Sequence, residues 1–270
     1  MSCNKIICLS MPKLQPRLRL PGRLCQSEAE RRDEEERIRN ELGIEPRDVV
    51  VFVRTVYINA SIFYFFLLVL VLLISSLGFK ISEILPIPPY IYLVVAYSLL
   101  ACIAYIGPRR LPASVGWALV LCIVLLLSLF TIYYTYNFGW IRLIICILFS
   151  GAVIHGLVVA GAKCRKSCLP NALVYAVIVF ICAMGIIATL VLCLIEFQRS
   201  FVVSLFSFLA ILAMAATLMQ SQFIHCRTHY VPLGLELICA LGLFVSKWTM
   251  LVCALLFAHT TDMQSLNLIS

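Results

Sequence analysis

Three side chains able to carry charge stand inside long apolar runs: His155, Glu236 and Lys247. In lipid such groups are costly, about 2.5 to 3.5 kcal/mol for Asp, Lys or Arg at a helix centre, so they turn inward and take partners. Glu236 and Lys247 lie eleven positions apart, close to three helical turns, which puts them on one helix face at depths differing by about 16 Å. They cannot pair directly. Either this face lines a polar path through a bundle, or each residue finds a neutral partner of its own; His155 reads the same two ways.

Other reactive side chains fit no catalytic or metal pattern. There is no HExxH, no GxSxG, no phosphate-binding glycine loop and no Asp-His-His-Cys run, so the expectation is a protein that is not an enzyme, carries no cofactor and binds no nucleic acid. Of the 13 cysteines, Cys102, Cys122, Cys146, Cys182, Cys193, Cys239 and Cys253 fall in apolar runs, where the thiol is a small packing residue. Cys164 and Cys168 in one break, with His225, Cys226 and His229 in another, could supply four zinc ligands, but they lack the tight CxxC spacing of a zinc site. No metal is expected. Cys164 or Cys168 is equally a candidate for palmitoylation. The acceptor Asn59-Ala60-Ser61 sits within the first apolar run and should stay unglycosylated.

The elements that must position these residues follow from composition. Of 270 residues, 63% are hydrophobic and 13% charged, with a mean hydropathy of +1.03; no water-soluble packing hides so much apolar surface. A bilayer core needs about 20 apolar residues per helix. Seven runs qualify, at 56–79, 90–107, 113–135, 140–162, 172–195, 201–219 and 233–258. The breaks are short and carry Pro, Gly or charge, as suits antiparallel neighbours. The fold class is therefore all-α, a polytopic membrane bundle of about seven helices, with residues 1–54 as a separate arm, 55–258 as the membrane domain and 259–270 as a tail.

Charge sets the orientation. The first 54 residues hold eleven of the 21 Lys and Arg, and nine of the 13 acids run from Glu28 to Asp48. Arg109, Arg110, Lys163, Arg165, Lys166 and Arg227 share a side with this segment, whereas Lys80, Arg142 and Arg199 lie opposite, so the N-terminus is expected to be cytosolic. Ser27 and Glu30 have capping-box spacing ahead of a charged helix that stops near Gly43 and Pro46. Residues 1–27 are basic and free of acids; they suit contact with anionic lipid, or a mitochondrial presequence, although Pro16 and Pro21 interrupt an amphipathic helix there. The absence of DRY and NPxxY patterns and the cytosolic N-terminus speak against a receptor.

The stretch Phe52-Val53-Arg54-Thr55-Val56-Tyr57 resembles the F-[IV]-R-x-[VI]-Y start of the first span in the Lifeguard branch of the transmembrane BAX inhibitor motif family. Cys102 followed by Gly107-Pro108-Arg109-Arg110 and Pro112 resembles that family's exit from the second span. The resemblance covers about residues 50–258. It implies a seven-helix bundle around a central last helix, an endoplasmic reticulum or Golgi location, calcium leak and restraint of apoptosis, with the lipid bilayer, calcium ion and other membrane proteins as partners. A mitochondrial inner membrane is the lesser alternative.

The family's pH gate uses two Asp residues, one in a Y-D-T-Q stretch and one in an A-L-x-L-Y-x-D stretch. Two close carboxylates share a proton because both cannot ionise cheaply. Here the stretches read Met219-Gln220-Ser221-Gln222 and Ala240-Leu241-Gly242-Leu243-Phe244-Val245-Ser246. Gln220 and Ser246 thus stand at the acid positions, and a one-residue slip would put Lys247 at the second. The resemblance implies Gln220 and Ser246 as gate positions, with the acid-pair gate lost, and the intramembrane charges add Lys247, Glu236 and His155 as pore or gate candidates. Lys247 is expected to donate to the Gln220 carbonyl if the two helices bring them together. The alternative is a non-conducting protein that binds and regulates other membrane proteins.

Overall fold

The computed structural model describes residues 46–77, 87–106, 112–135, 138–164, 170–196, 198–225 and 234–267, without the side chains of 46, 172, 199 and 260–267. The basic arm, the helix expected from Ser27, and Lys80, Arg109, Arg110, Arg165, Lys166, Cys168, Cys226, Arg227 and His229 lie outside the described residues.

Among the described residues, seven helices are long and apolar enough to cross a membrane. They are α1 (Pro46–Leu77), α2 (Pro89–Ile106), α3 (Ala113–Thr135), α4 (Trp140–Lys163), α5 (Ala172–Ile195), α6 (Arg199–Ile224) and α7 (Glu236–Asn267). The molecule is an all-α integral membrane bundle. Helix α1 begins well before its apolar run because Pro46 is pre-set for a first helical position and Asp48 complements the dipole of the first turn. Apolar length fixes where a chain meets lipid, whereas capping chemistry fixes where a helix starts. Helix α7 likewise continues past residue 258 to Asn267.

Two groups of helices share α7 as their axis. On one side α3 packs against α1 and α2; on the other, α6 packs against α4 and α5; α7 touches α1, α3, α4 and α6. Of the membrane window of α7, 67% is buried, against 11% for α5, so the last helix is central and α5 is peripheral. The α1 face turned to the core carries Phe52, Val56, Ala60, Phe63, Leu67 and Val71, all buried, at steps of four with one of three that make one helical stripe. Phe63 meets Phe244 of α7 edge-on at 6.2 Å and Trp117 of α3 at 6.0 Å.

Lipid tails are as apolar as Leu, so membrane helices associate through close packing and hydrogen bonds rather than hydrophobic drive. Both devices appear. A Cβ on Gly161 of α4 would lie 2.7 Å from the Ser221 Cβ and 3.0 Å from the Leu218 carbonyl of α6, so only glycine allows this approach. Gly185 of α5 accommodates the Phe208 ring of α6 in the same way. Between α7 and α3, Trp248 Nε1 donates to Thr131 Oγ1 at 2.8 Å and to the Leu127 carbonyl at 3.1 Å.

Candidate functional site

Three consecutive residues of α7 point in three directions, as a helix that turns about 100° per residue requires. Ser246 faces α6, where its hydroxyl donates to Gln220 Oε1 across 3.5 Å. Trp248 faces α3 through the hydrogen bonds above. Lys247 faces between α1 and α4.

The first direction is enclosed and neutral. Ser246 is buried, and Gly242, one turn earlier, makes room for the Gln220 amide: a Cβ there would lie 2.7 Å from Gln220 Nε2. Ser221, next to Gln220, donates to the Val158 carbonyl of α4 at 2.7 Å. Gln222 is also buried, and its Nε2 has no partner among the described residues, which is uncommon for a buried donor. An amide and a hydroxyl hold two helices together without carrying charge.

The second direction is cationic and open. Lys247 Nζ lies 3.4 Å from His155 Nε2 of α4 and 5.0 Å from the centre of the Tyr64 ring of α1. The ammonium over an aromatic face is a cation–π contact. His155 is exposed and Lys247 partly so, while α1 and α4 pack on α7 but scarcely on each other. Lys247 therefore meets His155 and Tyr64, whereas the neutral contact to Gln220 is made by Ser246.

Glu236 belongs to neither place. It opens α7, where its Oε1 accepts from the Gly234 N–H at 3.1 Å; Gly234 holds φ +84°, which favours glycine. Glu236 also lines two adjoining pockets of about 510 and 410 Å³, the smaller shared with Asp48. It is a helix-start residue complementing the α7 dipole, at a different depth from Lys247.

Sequence reasoning did not find the Tyr57 contact. The Tyr57 hydroxyl, last residue of the FVRTVY stretch, lies 3.0 Å from His225 Nε2 at the end of α6. The signal was present as two polar residues, one at the start of the first apolar run and one just past the sixth, but their pairing depends on how α1 and α6 are rotated. Of the candidate zinc ligands, Cys164 and His225 are described, and no group of three His, Cys, Asp or Glu that could hold a metal occurs among the described residues. The described cysteines are free thiols; Cys146 and Cys253 donate weakly to the Ala254 and Phe206 carbonyls.

The chain matches no family model, and it matches no curated protein and no solved structure at a level that shows shared descent. The architecture itself carries the conclusion: this is a polytopic integral membrane protein, seven helices with the last one at the centre.

Proposed function

We propose that this chain is a divergent Lifeguard-like protein of an internal membrane, the endoplasmic reticulum or Golgi, that acts in calcium homeostasis and restraint of apoptosis without an acid-pair gate. The observation that supports this reading is the contact between Gln220 and Ser246 across α6 and α7, at the two positions where the resemblance expects carboxylates. The helices meet at these two positions, and a neutral pair there fits a family-like protein whose gate chemistry has been replaced. Neither an amide nor a hydroxyl exchanges a proton near neutral pH, and the pair cannot act as a protonation switch. Lys247 adds a nearby positive charge that opposes a divalent cation, by about 1 kcal/mol or more per charge at contact distance even in high dielectric.

A second reading, a non-conducting protein that regulates other membrane proteins, is favoured by the apolar interior. Leu241, Phe244, Trp248 and Leu251 are buried along α7, beside the closed neutral contact.

Calcium-loaded vesicles carrying the purified protein separate the two. The first reading expects a small calcium flux that changes little between about pH 6 and 8, a window bracketing the ordinary histidine range; the second expects none above empty vesicles. Gln220→Asp combined with Ser246→Asp should confer pH dependence under the first reading. A large wild-type flux that varies steeply with pH and survives His155→Gln would overturn the loss of gating. The accompanying orientation is tested by protease access: a tag before Arg17 should be cut when only the plasma membrane is permeabilised, and a probe at Lys80 should be shielded.

A further inference from the structure

We infer that the seam between α1 and α4 is a lateral binding site for the carboxylate of a single-chain fatty acid, with Lys247 as its cationic anchor. The inference is independent of the calcium reading, because it uses neither Gln220 nor Ser246.

Lys247 stands near the middle of α7's membrane window, Glu236–His259, too deep for its side chain to reach either surface with ease. Its contacts are an imidazole nitrogen and an aromatic face, and it has no ion pair among the described residues. A cation in hydrocarbon without an anion is the costly arrangement, and intramembrane charges otherwise pair or line a path. An anion beside it would offset that cost.

The seam can admit one from the bilayer. α1 and α4 scarcely pack on each other, Tyr64 of α1 reaches the buried Ser150 of α4 beneath Lys247, and His155 on the α4 wall is exposed. Gly151, one turn from His155 on the same α4 face, has nothing within 4 Å of where a Cβ would lie. Gly151 thus leaves open space on the α4 side of the seam. Farther along, the Tyr57 and His225 pair ties α1 to the end of α6. An occupant enters sideways from lipid rather than along the bundle axis.

Depth and chemistry select the occupant. A phosphodiester is ionised at any ordinary pH and stays with the headgroups, whereas a fatty acid in its neutral form moves through hydrocarbon. A carboxyl group is small enough for the space beside Gly151 and accepts from an ammonium in a short charge-assisted hydrogen bond. With Nε2 facing Lys247, the imidazole of His155 keeps Nδ1 for a second contact. The chain of the ligand would lie along the exposed apolar flanks of the seam, which include Phe65 and Val159.

The test uses the full chain, purified in detergent and judged folded by a single symmetric size-exclusion peak, with a diazirine-bearing palmitic acid as photoprobe. Labelling should map to α1 and α4 near Lys247, be competed by oleic acid, and resist oleyl alcohol. Lys247→Leu should reduce labelling by about tenfold or more, the scale of one lost charge-assisted contact, whereas Lys247→Arg should retain most of it. Gly151→Leu, which fills the opening and keeps the lysine, should also reduce labelling. It tests the site should Lys247→Leu not fold. Competition by oleyl alcohol equal to that by oleic acid would reduce the site to an apolar groove and overturn the inference. Stronger competition by dioleoyl phosphatidic acid would assign the seam to a phosphate headgroup instead, and undiminished labelling of Lys247→Leu or Gly151→Leu would remove the site altogether.

Discussion

The two sides of α7 that flank residue 246 differ in kind although they are one residue apart. Toward α6 the helices touch, glycine is needed for the approach, and the polar groups are neutral. Toward the seam α1 and α4 scarcely pack on each other beyond Tyr64 meeting Ser150, a glycine meets empty space, and Lys247 and His155 are basic. The first side does what membrane helices need in order to associate; the second leaves a charge that packing does not explain. A polar residue within a span is therefore not by itself a pore residue, because its meaning depends on which neighbour its rotation presents.

The largest effect expected from this contrast is at Lys247. If the seam is empty in detergent, Lys247→Met removes an intramembrane cation that has no ion pair among the described residues and should raise stability, by up to about 2.5 kcal/mol on insertion scales. A thermal unfolding series in detergent checks the sign. Loss of stability would show that the histidine and aromatic contacts outweigh the burial cost. Adding oleic acid should stabilise the wild type and leave Lys247→Met unchanged, because a ligand stabilises only the form that binds it.

A pair of glycine substitutions tests the packing side of the comparison. Gly161→Ala forces a methyl against Ser221 and the Leu218 carbonyl and should cost about 1 to 3 kcal/mol, as overpacking does. Gly151→Ala meets nothing within 4 Å and should be neutral or stabilising by up to about 1 kcal/mol, through the better helix propensity of alanine. Equal costs at the two positions would mean that the seam closes in the membrane.

Much of the architecture was legible because it depends on residue class and run length. Seven runs of suitable length correspond to seven helices, and the α1 stripe from Phe52 to Val71 lies in the spacing itself. The start of α1 at Pro46 was missed because the apolar run does not begin there, although Pro46 and Asp48 carry the helix-start signal. The site was legible as residues but not as partners. Lys247 was expected to reach Gln220, and that contact belongs to Ser246; Lys247 meets His155, which lies 92 positions earlier in the chain. The axial offset and rotation of one helix against another decide such pairings. Gly151 and Gly161 are likewise indistinguishable as letters, and only the neighbouring helix separates an open position from a closed one.

Trp248 supplies the next smaller effect. Its indole N–H bridges α7 to α3 through Thr131 and the Leu127 carbonyl, and its ring meets Phe130 edge-on at 5.7 Å. Trp248→Phe removes the donor but keeps most of the ring. Side-chain hydrogen bonds between membrane helices average about 0.6 kcal/mol and reach about 1.7, and Trp248 sits at the upper end because two acceptors share one buried donor. Unfolding should reflect a loss of about 1 to 2 kcal/mol, and Thr131→Val should reproduce part of it without adding to it in the double variant, since both remove one interaction.

The smallest effect is expected at Ser246, two residues away on the same helix. Its hydroxyl reaches Gln220 Oε1 only at 3.5 Å, beyond the usual range for an O–H donor, and a long contact is worth less than the average membrane hydrogen bond. Ser246→Ala should therefore change stability by less than about 0.6 kcal/mol, because an alanine methyl nearly matches the hydroxyl in size and leaves the Gln220 carbonyl without a weak donor rather than without a strong one. Gln220→Leu should cost more, since Gly242 provides space shaped to the amide and a branched side chain would press on the α7 backbone there. The ratio of the two costs decides what the α6–α7 contact is. A small cost for Ser246→Ala beside a larger one for Gln220→Leu makes it a packing contact, whereas equal and strongly coupled costs in a double-mutant cycle would make it a true hydrogen-bonded latch.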